Sequence, residues 1–135
     1  MKKFTIEISK GRFEIHGLIQ EVGQDLLVAI WGGTRPHIGA VGIAAPRTSL
    51  RDPKRWSATS SNFTFLGHKE DTIVKQVSEK LAAQLKRNVV VTAGIHWDNI
   101  ASKEINVIQN LVKKMTNQVL KKMLPATGRQ KAGGE

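Results

Sequence analysis

The hydrophobic period changes partway along this chain, and that change limits the folds open to it. Phe4, Ile6 and Ile8, then Phe13, Ile15, Gly17 and Ile19, alternate with mostly polar residues, the period-two pattern of strands with one apolar face. From Asp71 onward Ile73, Val77, Leu81 and Leu85 recur every fourth position with Val74 alongside, which is the stripe of an amphipathic helix. Strands giving way to helices predict an α+β fold, a mostly antiparallel β-sheet with two helices packed on one face.

The first two strands join at Lys10-Gly11. The run from Leu26 to Trp31 is continuously apolar and ends in Gly32-Gly33, which predicts a central strand covered on both faces. Val41 to Ala45 reads as a strand stopped by Pro46, Arg47 to Trp56 as a basic, proline-containing loop, and Ser57 to Phe65 as another strand. Glu70 or Asp71 is placed to cap the first helix, and Lys86-Arg87-Asn88 suits its carboxyl end. Val89 to Gly94 reads as a buried strand. A second helix starts near Ser102, whose hydroxyl is expected to cap it, with Ile105, Ile108, Val112, Met115 and Val119 on its apolar stripe. Residues 1–124 read as one domain, and the polar, aperiodic stretch 125–135 as a disordered tail.

The chain of 135 residues has no cysteine, so thiolate chemistry and disulfides play no part and an oxidising compartment is not indicated. No stretch approaches the ~20 apolar residues of a membrane span, and the expected location is the cytoplasm. Lys and Arg number 21 against 11 acidic residues, a net charge of +10, which favours anionic partners. Nucleic acid is the obvious anion. Against it stand the scarcity of aromatics, the absence of tyrosine and the lack of a helix-turn-helix or RNA-binding signature.

Three segments hold three of the four histidines: Gly32-Gly33-Thr34-Arg35-Pro36-His37-Ile38-Gly39, Gly67-His68-Lys69-Glu70-Asp71, and Thr92-Ala93-Gly94-Ile95-His96-Trp97-Asp98. Each lies where an apolar run meets a turn or a helix start. If they meet in space, their glycines let the backbone approach a ligand, and their imidazole, guanidinium and ammonium groups suit an anion such as phosphate. The first segment reads equally as a tight connection shaped by Pro36, and it lacks both nucleotide-binding glycine fingerprints. His68 and Lys69 precede a helix amino terminus, which attracts anions; alternatively, Gly67 ends a strand and His68 is merely exposed. His96 stands two residues from Asp98, close enough for a bond that fixes its tautomer, and Trp97 is expected to pack into the core.

A zinc site made of three histidines finds no support in the spacing, and Arg35 and Lys69 beside the candidate ligands would repel a cation. His16 sits at an ordinary strand position. No Gly-x-Ser-x-Gly elbow is present.

Taken together, Asp25-Leu26-Leu27-Val28 leading to Gly32-Gly33-Thr34, Pro36-His37-Ile38-Gly39, His68-Lys69, and Thr92-Ala93-Gly94-Ile95-His96 with Ile100 resemble the small D subunit of gallate and related phenolic-acid decarboxylases. That family is also described as prenylated-flavin chaperones and as relatives of proteasome assembly chaperones. The resemblance implies a non-catalytic accessory protein that binds prenylated FMN or FMN and delivers it to a decarboxylase subunit. It also implies a proteasome-assembly-chaperone-like fold and a homodimer. The expected cofactor-binding set is Gly32, Gly33, Thr34, Arg35, His37, Gly39, His68, Lys69, Gly94 and His96, with no catalytic residue and no metal. Two other readings stand beside it: an assembly chaperone that recognises a protein surface through its basic loop, and a basic nucleic-acid-binding domain.

Overall fold

A computed structural model describes residues 1–65 and 70–125. Its elements are β1 (Lys3–Lys10), β2 (Phe13–Val22), β3 (Asp25–Gly33), β4 (Ala40–Thr48), β5 (Trp56–Thr64), α1 (Asp71–Leu85), β6 (Val89–His96) and α2 (Ser102–Met123). The strands form one six-stranded sheet in the order β1-β2-β3-β6-β4-β5. All neighbours are antiparallel except β3 and β6, which run parallel with Leu26 opposite Val89 and Gly33 opposite His96.

The alternation read in the sequence sorts the sheet into two faces. Ile6, Phe13, Ile15, Ile19, Leu26, Val28, Ile30, Val89 and Val91 point to the helices and are buried, and each is worth roughly 1.5–3 kcal/mol of transfer free energy. They meet Val74, Val77 and Leu81 of α1 and Ile108, Leu111, Met115 and Val119 of α2. Small residues decide how closely the helices seat. A Cβ on Gly42 would lie 2.6 Å from the Val74 carbonyl oxygen, and one on Gly17 would lie 2.7 Å from Met115 Sδ.

Several boundaries differ from the sequence reading. β4 does not stop at Pro46 but runs on to Thr48, because past Ala44 it has only β5 beside it and a proline is tolerated where one neighbour is missing. The loop that follows is correspondingly shorter, since Arg47, Thr48 and Trp56 belong to strands. Glu70 stands at the start of α1 without a side-chain cap bond; its carboxylate is used elsewhere. Ser102 does not cap α2: the Ala101 N–H donates to Glu104 Oε1 (3.0 Å) and the Glu104 N–H to the Ala101 carbonyl (2.9 Å). Ile105 is 47% exposed, so the buried stripe of α2 begins at Ile108. β3 is covered on one face only, with outward-facing Leu27 42% exposed. The stretch expected to be a disordered tail falls, after Pro125, outside the described residues.

Candidate functional site

The parallel pairing of β3 with β6 delivers two strand ends to the same edge of the sheet, and the first and third glycine-histidine segments follow directly from them. The Thr34 N–H donates to the His96 carbonyl (2.9 Å) and the Gly39 N–H to the Ala93 carbonyl (2.8 Å). The segment between them therefore lies across the end of β6. Its glycines are needed for that crossing. A Cβ on Gly94 would fall 1.6 Å from the His37 carbonyl oxygen, one on Gly33 (φ +86°) 1.8 Å from that of His96, and one on Gly32 2.5 Å from that of Glu14. These glycines let the chain approach itself, where the sequence alone suggested an approach to a ligand.

The second segment reaches the same place through Glu70. Its Oε1 accepts the Ile95 N–H (3.3 Å) and lies 3.2 Å from His37 Nε2. Gly39 leaves room for this carboxylate, since a Cβ there would sit 2.3 Å from Glu70 Oε2. Oε2 is buried and has no hydrogen-bond partner among the described residues. On its other side His37 Nδ1 lies 2.7 Å from the Arg35 carbonyl, which can only accept, so Nδ1 carries a proton. Glu70 thus ties all three segments together, a role hidden by its position at a helix start, where an acidic residue reads as a cap. His68 and Lys69 lie outside the described residues.

His96 and Asp98 do meet, at 2.9 Å, on the exposed side of the site. Arg35 stands 3.8 Å from the same carboxylate oxygen. The bond from His96, and after it the charge of Arg35, holds the Asp98 carboxyl below its ordinary range. Trp97 is 7% exposed and packs edge-on against Phe13, with ring centroids 5.0 Å apart.

Two hollows share Trp97 as a wall. One, of about 270 Å³, is bordered by Gly32, Gly33, Thr34, Arg12 and Trp31. The other, of about 350 Å³, is bordered by Glu70, His96 and the isoleucines Ile73, Ile95, Ile100, Ile105 and Ile108. The first offers a hydroxyl, a guanidinium, the Glu14 carboxylate and ring faces; the second is an apolar trough with a carboxylate at its edge. Ile73, Ile105 and Ile108 were legible as helix-stripe residues, but nothing in the sequence joined them with Ile95 and Ile100 into one surface. Among the described residues, neither His37 nor His96 belongs to a group close enough to share a metal ion. Among the described residues that geometry occurs at Glu7, Glu14 and His16, where His16 also stacks on Trp31.

A six-stranded sheet with both helices on one face is a fold shared with a solved assembly-chaperone structure. The crystal structure of a chaperone complex for yeast 20S proteasome assembly matches it with a TM-score of 0.57 at 11% identity, over 91% of this chain and 98% of that one, which is a likeness of fold. Protein LpdD of Lactiplantibacillus plantarum is 28% identical over 120 residues, or 89% of this chain and 83% of that protein. Residues 9–124 match the prenylated flavin chaperone LpdD-like domain, and the chain belongs to that family. The accessory, chaperone-type role implied by the motifs is the one the family describes.

Proposed function

We propose that this protein binds prenylated FMN, or FMN, at the end of the β3–β6 pair and releases it to a decarboxylase subunit. The observation that carries the reading is the pair of hollows meeting at Trp97, one polar, with Arg12, Glu14 and Thr34 on its border, the other mainly apolar. That division suits a ligand with a phosphate at one end and a ring system bearing an apolar prenyl group at the other. Thr34, Arg35 and Arg12, with His68 and Lys69, would hold the phosphate. The isoleucines would receive the apolar part, with His37 and His96 between. Gly32, Gly33, Gly39 and Gly94 contribute by permitting the backbone crossing that brings these side chains together.

The charges in the site favour a loose hold. Arg35 already faces Asp98 and Arg12 faces Glu104 at 3.5 Å, so a phosphate must compete with carboxylates for both guanidinium groups. Weak binding suits a protein that hands its cargo to an apoenzyme and does no chemistry on it.

We infer also that two copies pair through the helix-free face of the sheet. Between Leu27 and Trp31, Val90 and Gly94, and Val41 and Ala45, no outward side chain is charged, in a chain carrying +10. Leu27, Val90 and Ile43 form one row across three strands, and Ile43 and Phe63 are 54% and 64% exposed. The apolar run of β3, suited to burial on both faces, supports a second sheet packed there. With the paired stretch of β5 this patch spans four strands ~4.8 Å apart, about 300 Å² in projection, the size of an apolar centre within an interface of ~800 Å² per partner.

Anaerobic calorimetric titration with FMN and prenylated FMN tests the cofactor reading. Micromolar binding that weakens about tenfold in Thr34→Val or His96→Ala supports it; no binding of either flavin, or equal binding by the variants, counts against the site.

A further inference from the structure

The end of the sheet opposite the candidate site carries a second concave surface, independent of any flavin. A groove of about 730 Å³ runs between the β4–β5 connection and the end of α1, bordered by Lys54, Arg55, Lys86, Trp56, Ser57 and Gln84 among others. We propose that this groove docks an acidic, carboxylate-rich segment of a partner protein.

The fold leaves the charges of this groove uncompensated. Three cations border one concavity and no carboxylate does. Among the described residues none of the three forms an ion pair. Asp52, the acid nearest in sequence, is committed to the turn: its Oδ1 accepts the Lys54 N–H (3.0 Å) and its carbonyl the Arg55 N–H (2.9 Å). Arg87 provides the contrast, because Glu21 holds it at 2.6 Å.

Lys86 adds a backbone observation. It occupies the left-handed region (φ 57°) at the C-cap of α1, a position that ordinarily selects glycine or asparagine. A lysine there is strained by roughly 1 kcal/mol, and its ammonium group is carried to 5.0 Å from the centre of the Trp56 ring. Trp56 is itself 43% exposed. The groove therefore presents an apolar ring edged by cations, which suits acidic side chains interspersed with an apolar one.

The same details argue against a phosphate or nucleic acid. The N–H groups of Arg51 and Asp52 donate to Ser49 Oγ (3.2 and 3.4 Å), and those of Lys54 and Arg55 to Asp52, so these turn amides are not available as a phosphate nest. A stacking base would compete with Lys86 for the Trp56 face. Two of the cations come from the β4–β5 connection and the third from the end of α1, a spread that matches an extended chain better than a compact ion.

The test is calorimetric titration of the full chain at low salt with a short Glu/Asp peptide containing one leucine, beside inorganic phosphate and a short single-stranded oligonucleotide. The peptide is expected to bind, to weaken at least about tenfold in Lys54→Glu/Arg55→Glu, and to change less than about twofold in Lys113→Glu/Lys114→Glu, which makes the same charge change on the exposed face of α2. Lys54→Gln/Arg55→Gln gives the same comparison should the reversal impair folding. Absence of peptide binding, equal loss in both double variants, or phosphate or oligonucleotide binding more sensitive than the peptide to the groove variants would each overturn the proposal. Flavin titration of the same variants is expected to be unchanged, which separates this surface from the site at the other end.

Discussion

The carbonyl oxygen of His37 occupies the space where residue 94 would carry a side chain, with an ideal Cβ there only 1.6 Å away. His37 is consequently positioned by the absence of an atom in a neighbouring strand. Gly94→Ala is expected to destabilise the protein by about 3 kcal/mol or more, since backbone must move on both sides. Gly17→Ala should cost nearer 1 kcal/mol, because the atom it meets, Met115 Sδ, ends a flexible thioether chain. Urea unfolding of the two variants measures the difference.

Glu70→Ala removes the acceptor of the Ile95 N–H and the partner of His37 Nε2 together. A loss of about 1–3 kcal/mol is expected from the unpaired groups. The amide proton of Ile95 should also exchange faster, by hydrogen-exchange NMR, than its neighbours in β6. Unchanged exchange at Ile95 would deny Glu70 its role in joining the segments.

Acid sensitivity is expected at the Glu21–Arg87 pair. The bond from Arg87, then that from the Lys2 N–H, keeps the Glu21 carboxyl below its ordinary value. A carboxyl lowered in the folded state binds fewer protons there than in the unfolded chain. Its contribution is therefore complete above the unfolded value of about 4.3 and is lost as pH falls through the lower folded value. The melting temperature of the wild type should drop more steeply than that of Glu21→Gln between about pH 5 and about pH 3.

Ile43→Lys tests the sheet-face dimer. The residue is 54% exposed in the single chain, so the substitution costs a monomer little. In a face-to-face pair it buries an unmatched ammonium group and should shift the mass seen by analytical ultracentrifugation from two chains to one. A wild type that sediments as a single chain would remove the dimer outright.

Periodicity made the strands and helices legible, because it follows from one-sided burial and needs no tertiary knowledge. Pro46 misled because its compatibility with a strand depends on which neighbours the strand has at that point, a property of the sheet order. Ser102 and Glu70 misled for a related reason: side chains suited to capping were outcompeted by Glu104 and by the Ile95 N–H. The meeting of the glycine-histidine segments stood in the sequence only as a condition, and the purpose of the glycines in the first and third was invisible. A glycine that admits a ligand and one that admits the chain's own carbonyl have the same sequence.

Strand order also governs when this protein can fold. β3 and β4 are consecutive in sequence but never pair, because β6 lies between them. Until Val89–His96 inserts, the β1–β3 meander and the β4–β5 hairpin have no strand in common, and the edge of β3 stays open. Joining them requires closure of a loop that includes all of α1, a non-local step that slows folding. The candidate site, built where β6 ends, is completed in that same event, so a nascent chain acquires its central sheet and that cluster of side chains together.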